Sequence, residues 1–293
     1  MTPAAAERRQ TLGVLATGSA YLLWGAFPIY FHALAGVPPS EVLAHRIAWS
    51  TLFMLALVTA LGRWREVRRQ LAPPGTVRVL AVTAVLISTN WLVYIWAVGA
   101  GHVLEASLGY FVNPLVSVLL GVVFLKEPLS RWQKAAVALA AVGVVALMLW
   151  LRRPPWVALT LAGTFGLYGL LRKRVQVDAV TGLLAEVVVL LPFAAAWLAW
   201  LGAGGGLRFG TAPALTALLT ASGVITAVPL LLFGFGVRRL RLATVGLLQY
   251  VNPTAQFAIA VFLFGEVFSV AHGVAFGFIW VSLGLYTWDT LSR

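Results

Sequence analysis

Long apolar stretches separated by short polar interruptions run along almost the whole chain. A helix needs about 20 apolar residues to cross the roughly 30 Å hydrocarbon core of a bilayer. The pattern predicts ten such spans, at 12–33, 41–61, 77–99, 102–125, 132–151, 155–171, 180–201, 212–236, 241–264 and 268–289. Helix breakers such as Pro73-Pro74-Gly75 and the 202–206 glycine run lie between them. We therefore expect an all-α integral membrane protein without a soluble domain.

The composition supports this prediction. Hydrophobic residues make up 61% of the chain and charged residues only 10%, against about 25% charged in soluble proteins. There is no cysteine, which excludes disulfides, thiol nucleophiles and thiolate metal sites. The four histidines lie in four different segments, so we expect no metal and no bound cofactor. The first apolar stretch is too long for a signal peptide and is interpreted as the first span.

The basic residues predict an orientation. If the N-terminus is cytoplasmic, 17 of the 21 Lys and Arg residues fall on the cytoplasmic side and three on the outer side. Cytoplasmic loops of membrane proteins carry such an excess. This predicts a multi-pass protein of a bacterial-type inner (plasma) membrane with both termini cytoplasmic. It also explains the net charge of +12 without a nucleic-acid partner.

An internal repeat relates spans four and nine. Asn113-Pro114 is followed by Glu127, and Asn252-Pro253 is followed by Glu266, with every position offset by 139 residues. Apolar similarity between membrane spans is common, so the shared asparagine, proline and glutamate carry the argument. The repeat predicts two related halves of five spans each, residues 1–151 and 152–293.

The second half is predicted to cross the membrane in the opposite direction, because five is an odd number. The flanking charges agree. The loop before span four contains no Lys or Arg, whereas its counterpart before span nine contains three, and the loops after the two spans show the reverse. Matching segments with reversed flanking charge indicate an inverted-topology repeat, which suits alternating access.

Several polar-aromatic strings resemble a known family. The Tyr21–Gly25 segment and the two Pro-x12-Glu patterns resemble EamA permeases of the drug/metabolite transporter superfamily. The strings at 44–50, 90–97, 102–111 and 249–250 resemble its RarD subgroup in particular. The resemblance covers nearly the whole chain. It implies a ten-helix permease with a central cavity, in which residues 1–151 and 152–293 are two EamA-like five-helix repeats, the second inverted.

Span two contains the first candidate site residues. Arg46 lies five residues inside the outer boundary of the span, roughly 8 Å deep, and charged groups inside a membrane usually mark function. One interpretation is that Arg46 faces the cavity, balances Glu105 in span four and attracts a carboxylate or another anion. The alternative is that it extends back to the interface. His45 belongs to the same candidate site, and Glu41 is expected to snorkel at the membrane edge.

Span seven contains Glu186, close to the position that inversion relates to Arg46. A direct ion pair with Arg46 is one alternative, but inversion places the two residues near opposite surfaces. A separate role on the inner side is favoured, either in proton coupling or in a contact between helices.

Further polar and aromatic residues complete the candidate cavity. Polar stripes within a membrane must face protein or water, so they either line the cavity or join helices, and Asn-Pro pairs also explain kinks. The candidates are Asn90 and Tyr94 in span three, Asn113 in span four, Gln249 and Asn252 in span nine, and the aromatic residues Trp24, Trp91 and Tyr250. Glu127 and Glu266 are expected to hold helix ends or loop amides.

These features favour a secondary-active permease for a small organic metabolite or drug, working by alternating access as an exporter. No HExxH, GxSxG with a partner histidine, or P-loop motif is present, so neither an enzyme nor an ATP-driven pump is expected. A non-transporting membrane receptor or assembly factor is the alternative. The expected partners are a small-molecule substrate and the lipid bilayer. A homodimer is left open, and the only coupling suggested is to protons.

Overall fold

Helices make up the fold wherever the structure describes the chain. The computed structural model describes residues 3–126, 129–152, 154–172, 174–237, 239–240 and 248–291. Within these ranges the helices are α1 (Pro3–Gly25), α2 (Phe27–His32), α3 (Pro39–Ala60), α4 (Trp64–Leu71), α5 (Thr76–Gly99), α6 (Val103–Leu125), α7 (Arg131–Leu151), α8 (Trp156–Arg172), α9 (Ala179–Ala203), α10 (Pro213–Val237), α11 (Val251–Ala258, continued by a π-helical turn Ile259–Leu263) and α12 (Val270–Leu291).

Eight segments of the described chain are long and apolar enough to cross a membrane. They correspond to eight of the ten predicted spans. The other two are α8, which has 17 residues, and Val251–Leu263, which is shorter still. The first residues of predicted span nine, 241–247, lie outside the described ranges. The all-helical membrane fold is thus confirmed, and the count of ten spans stays a prediction.

Two local elements differ from the sequence prediction. The first span is not one continuous helix, because α1 ends at Gly25 and α2 begins at Phe27 with Pro28 in its first turn. Proline suits a first turn because its missing N–H has no helical partner there. The predicted loop after span two contains α4, whose charged residues are mostly exposed while Val67 is buried.

The helices pack mainly against helices from the other half of the chain. Helix α1 packs against α10 and α11, α3 against α9 and α10, α5 against α8 and α9, α6 against α8 and α11, and α7 against α12. Each of these pairs joins one helix from residues 1–151 with one from residues 152–293. The two halves of the sequence are therefore interleaved in the bundle.

Glycines permit the closest of these approaches. A Cβ atom placed on Gly223 of α10 would lie 2.5 Å from the carbonyl oxygen of Trp49 in α3. One placed on Gly109 of α6 would lie 2.8 Å from the carbonyl oxygen of Ala158 in α8. Small residues allow membrane helices to approach this closely. The contact at Gly223 brings α10 against the part of α3 that carries Arg46.

Candidate functional site around Arg46

Arg46 lies two turns into α3 and points into the helix bundle. Its relative exposure is only 4%. Its Nε donates a hydrogen bond to the Thr226 hydroxyl of α10 at 2.8 Å. The Thr226 hydroxyl in turn donates to the carbonyl oxygen of Ser222, also at 2.8 Å. Arg46 is therefore anchored between two helices and does not extend to the membrane interface.

Aromatic rings surround the guanidinium group. Its central carbon lies 4.0 Å from the ring centre of Trp91 in α5, 5.5 Å from that of Phe31 and 5.7 Å from that of Phe27. These distances allow cation–π attraction, which is strongest for tryptophan and increases when the cation is removed from water. The predicted residue Trp91 is thus in direct contact with Arg46.

Three tyrosines complete this surrounding. The side chains of Tyr30, Tyr94 and Tyr110 are close enough to interact electrostatically with Arg46. The Tyr30 hydroxyl donates to the carbonyl oxygen of Leu218 at 2.8 Å. The Tyr94 hydroxyl is buried without a hydrogen-bond partner among the described residues. We call the surroundings of Arg46 the Arg46 chamber, formed by Phe27, Tyr30, Phe31, Trp91, Tyr94, Tyr110 and Thr226.

Arg46 has no acidic partner in the described part of the chain. The ion pairs found there involve other residues. The prediction that Glu105 balances the charge of Arg46 is wrong. Its Oε1 accepts a hydrogen bond from the Val157 N–H at 3.0 Å, so Glu105 holds the start of α8 instead. The positive charge of Arg46 is therefore uncompensated by any described carboxylate.

Two further predicted residues lie near the chamber. Asn90 donates from Nδ2 to the carbonyl oxygen of Leu161 at 3.0 Å and to the Thr164 hydroxyl at 2.9 Å. Its Oδ1 accepts from the Tyr110 hydroxyl at 3.3 Å. Asn90 thus joins α5, α6 and α8 and fixes the orientation of a chamber tyrosine.

His45 lies beside Arg46 in the sequence, but its side chain contacts the loop before α10 and the first turn of α3. Its ring stacks on Phe209 with centres 4.7 Å apart, and its Nε2 is 3.9 Å from Glu41. The expectation that Glu41 snorkels is wrong. Its side chain is fully buried, and Oε1 accepts from the backbone N–H groups of Arg208 and Phe209 at 2.7 and 3.1 Å.

Glu186 forms a separate buried cluster. Its Oε1 accepts a hydrogen bond from the Thr83 hydroxyl at 2.7 Å and lies 3.9 Å from Arg172 Nε. Tyr168 donates to Oε2 at 3.4 Å. Glu186 pairs with Arg172 and not with Arg46, in agreement with the favoured interpretation that the two sites are separate.

The remaining predicted residues lie elsewhere in the bundle and have no contact with Arg46 among the described contacts. The ring of Trp24 packs against Tyr21 and Phe233. Asn252 accepts at Oδ1 from Gln256 at 2.8 Å, and the side chain of Tyr250 lies close to Thr287. Asn113 is buried, and Gln249 is half-buried.

The two repeated glutamates were predicted to hold helix ends. Glu266 does so, because its carboxylate oxygens accept from the N–H groups of Val103 and Leu104 at 2.7 and 2.8 Å, at the start of α6. Burial raises the pKa of Glu266, while these hydrogen bonds and His102 oppose the rise. Glu127 lies outside the described residues. No group of three or more His, Asp and Glu side chains in the described part could hold a metal ion.

Sequence reasoning missed several chamber residues, namely Phe27, Tyr30, Phe31, Tyr110 and Thr226. The first three belong to one aromatic string beside Pro28, at the break between α1 and α2. Ser222 and Thr226 lie on the chamber side of α10. They are four residues apart, a spacing that places two side chains on the same face of a helix. Both patterns are visible in the sequence, but only the fold shows that the aromatic string and Thr226 surround Arg46.

Comparison with known proteins identifies the family. Residues 11–149 match the EamA-like transporter family. The chain is also 45% identical over 280 residues to protein RarD of Salmonella typhi, covering 95% of each chain. The chain belongs to the EamA-like transporter family. Within that family it falls in the RarD subgroup, as the sequence motifs predicted.

Other relatives support the assignment of this chain to the EamA-like transporter family. It is 44% identical to uncharacterized transporter YojE of Bacillus subtilis over 94% of each chain. It is 38% identical to chloramphenicol-sensitive protein RarD of Pseudomonas aeruginosa, covering 95% of this chain and 94% of that one. A solved crystal structure has a TM-score of 0.62 at 18% identity, covering 94% of this chain and 97% of that chain, which shows the fold alone. The protein is a multi-pass membrane transporter.

Proposed function

We propose that this permease is a secondary-active transporter that moves a small organic metabolite or drug across the inner membrane by alternating access. The observation that carries the proposal is the uncompensated guanidinium of Arg46, which is buried in a chamber built by both halves of the chain. Helices α2, α3, α5 and α6 of the first half and α10 of the second half contribute to it. Membrane transporters commonly bind substrate at such an interface between repeats.

The packing of the helices supports an inverted repeat of two five-helix units. In the proposed repeat α1, α3, α5, α6 and α7 correspond to α8, α9, α10, α11 and α12. Exchanging the two sets converts the α1–α10 pair into α8–α5, the α1–α11 pair into α8–α6, and the α3–α10 pair into α9–α5. All of these pairs pack in the structure. Three further pairs also pack, namely α3–α9, α6–α11 and α7–α12. The exchange leaves each of these pairs unchanged, because its two helices are counterparts of each other.

Contacts between helix ends fit ten crossings. Glu41 binds the loop before α10, and Glu266 binds the start of α6. At the opposite membrane surface of the proposed topology, Arg63 pairs with Asp178 at 2.6 Å. The Ser130 hydroxyl donates to Asp289 there at 2.9 Å. Each of these contacts joins segments that a ten-span topology places on the same side.

The charge distribution supports a cytoplasmic location of both termini. In this orientation Arg46 lies toward the outer surface and Glu186 toward the inner surface. We propose export as the direction of transport. Everted vesicles that accumulate substrate under an imposed gradient would agree with export, and accumulation only in right-side-out vesicles would contradict it.

Glu186 is the proposed site of proton coupling. It is a buried carboxylate in a hydrogen-bonded cluster with Arg172 and Tyr168 from α8 and Thr83 from α5. Such intramembrane carboxylates commonly serve as proton relays. Glu186→Gln is expected to abolish the pH dependence of transport, and an unchanged pH profile would rule out coupling through this residue.

Counterflow into proteoliposomes tests the proposed function. Amino acids, aromatic metabolites and amphenicol drugs are the candidates for a thermal-shift screen, and compounds that bind are then tested for counterflow. We expect at least one to be exchanged by the wild-type protein and not by Arg46→Ala. Arg208→Ala is the matched control, because Arg208 is an exposed arginine in the loop before α10.

The competing functions give different results in the same assay. Binding without counterflow of any compound would favour a receptor or assembly factor. Conductance without counterflow would favour a passive channel.

A further inference from the structure

The Arg46 guanidinium has hydrogen-bond donors that the protein does not use. A guanidinium carries five N–H donors. In the described part of the chain only the Nε–H of Arg46 has a hydrogen-bond acceptor, Thr226. Leaving a buried charge without a partner in a membrane interior is strongly unfavourable. A bound anion would remove this cost.

The second half of the chain contains a charge-reversed counterpart of this arrangement. Arg46 contacts Thr226 and interacts with Tyr30, whereas Glu186 contacts Thr83 and Tyr168. Pairing Arg46 with Glu186, Thr83 with Thr226 and Tyr30 with Tyr168 gives separations of 140, 143 and 138 positions. Arg46 and Glu186 lie on α3 and α9, and Thr83 and Thr226 lie on α5 and α10, which are pairs that the proposed repeat exchanges. Tyr30 lies on α2, which follows α1 directly, and Tyr168 lies on α8, the counterpart of α1.

The two arrangements differ in one respect. Glu186 has its own counter-ion, Arg172. The positions 138 to 143 residues before Arg172 are 29–34, and they contain no Asp or Glu. The first half therefore lacks the opposite charge that the second half supplies within the protein.

We infer that the Arg46 chamber binds the carboxylate of an organic monoanion that carries a flat apolar ring. This inference rests on the proposed permease function and names its class of substrate. The two unused terminal nitrogens of a guanidinium match the two oxygens of a carboxylate. The buried Tyr94 hydroxyl, which has no partner among the described residues, provides a further donor.

The charge and shape of the chamber select this class. Among the described residues, Arg46 is the only basic residue of the chamber, so its single positive charge balances a monoanion better than a dianionic phosphate. The ring of Trp91 covers one face of the guanidinium at 4.0 Å. Phe27 and Phe31 offer further ring surfaces, which pack well against an aromatic skeleton.

Ligand binding to the purified full-length protein tests the inference. The probes are benzoate, cinnamate and 1-naphthoate, compared with their neutral primary amides, with acetate and with phenylphosphonate. We expect at least one ring carboxylate to bind about tenfold or more tightly than its amide. It should also bind more tightly than acetate and phenylphosphonate.

Variants assign this binding to Arg46. Arg46→Gln should weaken binding of the carboxylate about tenfold or more and leave that of the amide unchanged. Arg208→Gln should change neither. Size-exclusion chromatography shows whether the variants are folded. Tyr94→Phe, which removes only a hydroxyl, should weaken carboxylate binding several-fold (about 3–10-fold) without changing the elution profile.

The inference is overturned if no ring carboxylate is preferred over its amide. It is also overturned if folded Arg46→Gln binds the carboxylate with unchanged affinity, or if phenylphosphonate binds most tightly. Counterflow separates this result from the proposed function. Carboxylate binding through Arg46 without counterflow of any compound contradicts the permease and retains the site. Counterflow that ring carboxylates do not inhibit contradicts the site and retains the permease.

Discussion

At the scale of single residues, the central feature is an arginine held in place by a neutral hydrogen bond and aromatic rings. Thr226 fixes the Nε edge of Arg46, and Trp91 covers one face. This arrangement leaves the other edge of the guanidinium available. A carboxylate of the protein in the same place would neutralise the charge and remove the reason to bind an anion.

Replacing Thr226 tests this anchoring. Thr226→Val keeps the shape of the side chain but leaves the buried Nε–H without an acceptor, which costs about 1–3 kcal/mol. We expect a lower thermal midpoint in detergent and reduced counterflow.

Thr220→Val is the control for that substitution. The Thr220 hydroxyl lies on the same helix and donates only to the carbonyl oxygen of Thr216 in the described contacts. Equal effects of the two substitutions would show that the Arg46–Thr226 bond has no special importance.

The sequence predicted part of this site. Arg46 and Trp91 were found because a charge or a tryptophan is conspicuous within an apolar run. Thr226 was not found, because it lies 180 positions from Arg46 and a threonine within an apolar helix is common. Glu105 was misjudged for a related reason. Its depth in span four was predictable, but its contact with the start of α8 depends on how the two halves pack.

At the scale of helices, the approach of α10 to α3 determines the geometry of the site. Gly223 lies one turn before Thr226, and any side chain there would meet the backbone of Trp49. The sequence could predict that α3 and α10 are membrane spans. It could not predict which glycine marks their contact, because the chain has 28 glycines and many face open space.

Substituting Gly223 is expected to separate these helices. A Cβ at Gly223 would lie 2.5 Å from the Trp49 carbonyl oxygen, and overpacking of this kind costs about 1–3 kcal/mol. Gly223→Ala should lower the thermal midpoint and reduce counterflow. Gly234→Ala on the same helix is the control, because its nearest neighbour would be 3.8 Å away. Comparable behaviour of the two variants would contradict this role.

The start of α9 gives a pH-dependent prediction. Burial alone raises the pKa of Asp178, but hydrogen bonds from the Thr181 backbone, Gln70 and Arg63, together with the charge of Arg63, lower it to about 2. The ordinary value is 3.8. Because the pKa is lower in the folded protein, its stabilisation is complete above the ordinary value and is lost as the pH falls toward about 2.

Asp178→Asn isolates this charge, since asparagine is an equally good N-cap. We expect a lower thermal midpoint than wild type at pH 7, with a difference that shrinks as the pH is lowered from about 4 toward 2. Arg69→Gln is the control, because Arg69 forms an exposed ion pair with Glu66. This substitution should change the thermal midpoint little. A difference that stays constant across this range would exclude an electrostatic origin.

At the scale of the whole molecule, the proposed alternating access requires a topology in which the two halves are inverted and interleaved. The lengths of the apolar stretches were enough to predict the eight segments that are long and apolar enough to cross a membrane, whereas the count of ten spans and their orientation stay predictions. The break after α1 and the helix α4 were not predicted, because a tertiary contact of Val67 and the position of Pro28 determine them. The cross-half pairing of the helices is likewise visible only in the fold.

Single cysteines test the orientation, because the chain contains none of its own. The two variants are Ala72→Cys and Gly204→Cys. Ala72 lies in the loop before α5, and Gly204 lies in the loop after α9. A membrane-impermeant thiol reagent added to whole cells should label the cysteine at position 204 and not the one at 72. Everted vesicles should show the opposite pattern. Labelling of both positions from one side would contradict the proposed topology.

Access to the Arg46 chamber from the two sides of the membrane tests the central claim most directly. Ser222→Cys places a thiol on the chamber side of α10, one turn from Thr226, and leaves the Arg46–Thr226 hydrogen bond in place. Its rate of reaction with the impermeant reagent is measured in sided vesicles, with the single cysteines at positions 72 and 204 reporting the orientation. Alternating access predicts that the thiol reacts from either side, and that a transported substrate shifts the two rates in opposite directions. Reaction from one side alone under all conditions would contradict alternating access.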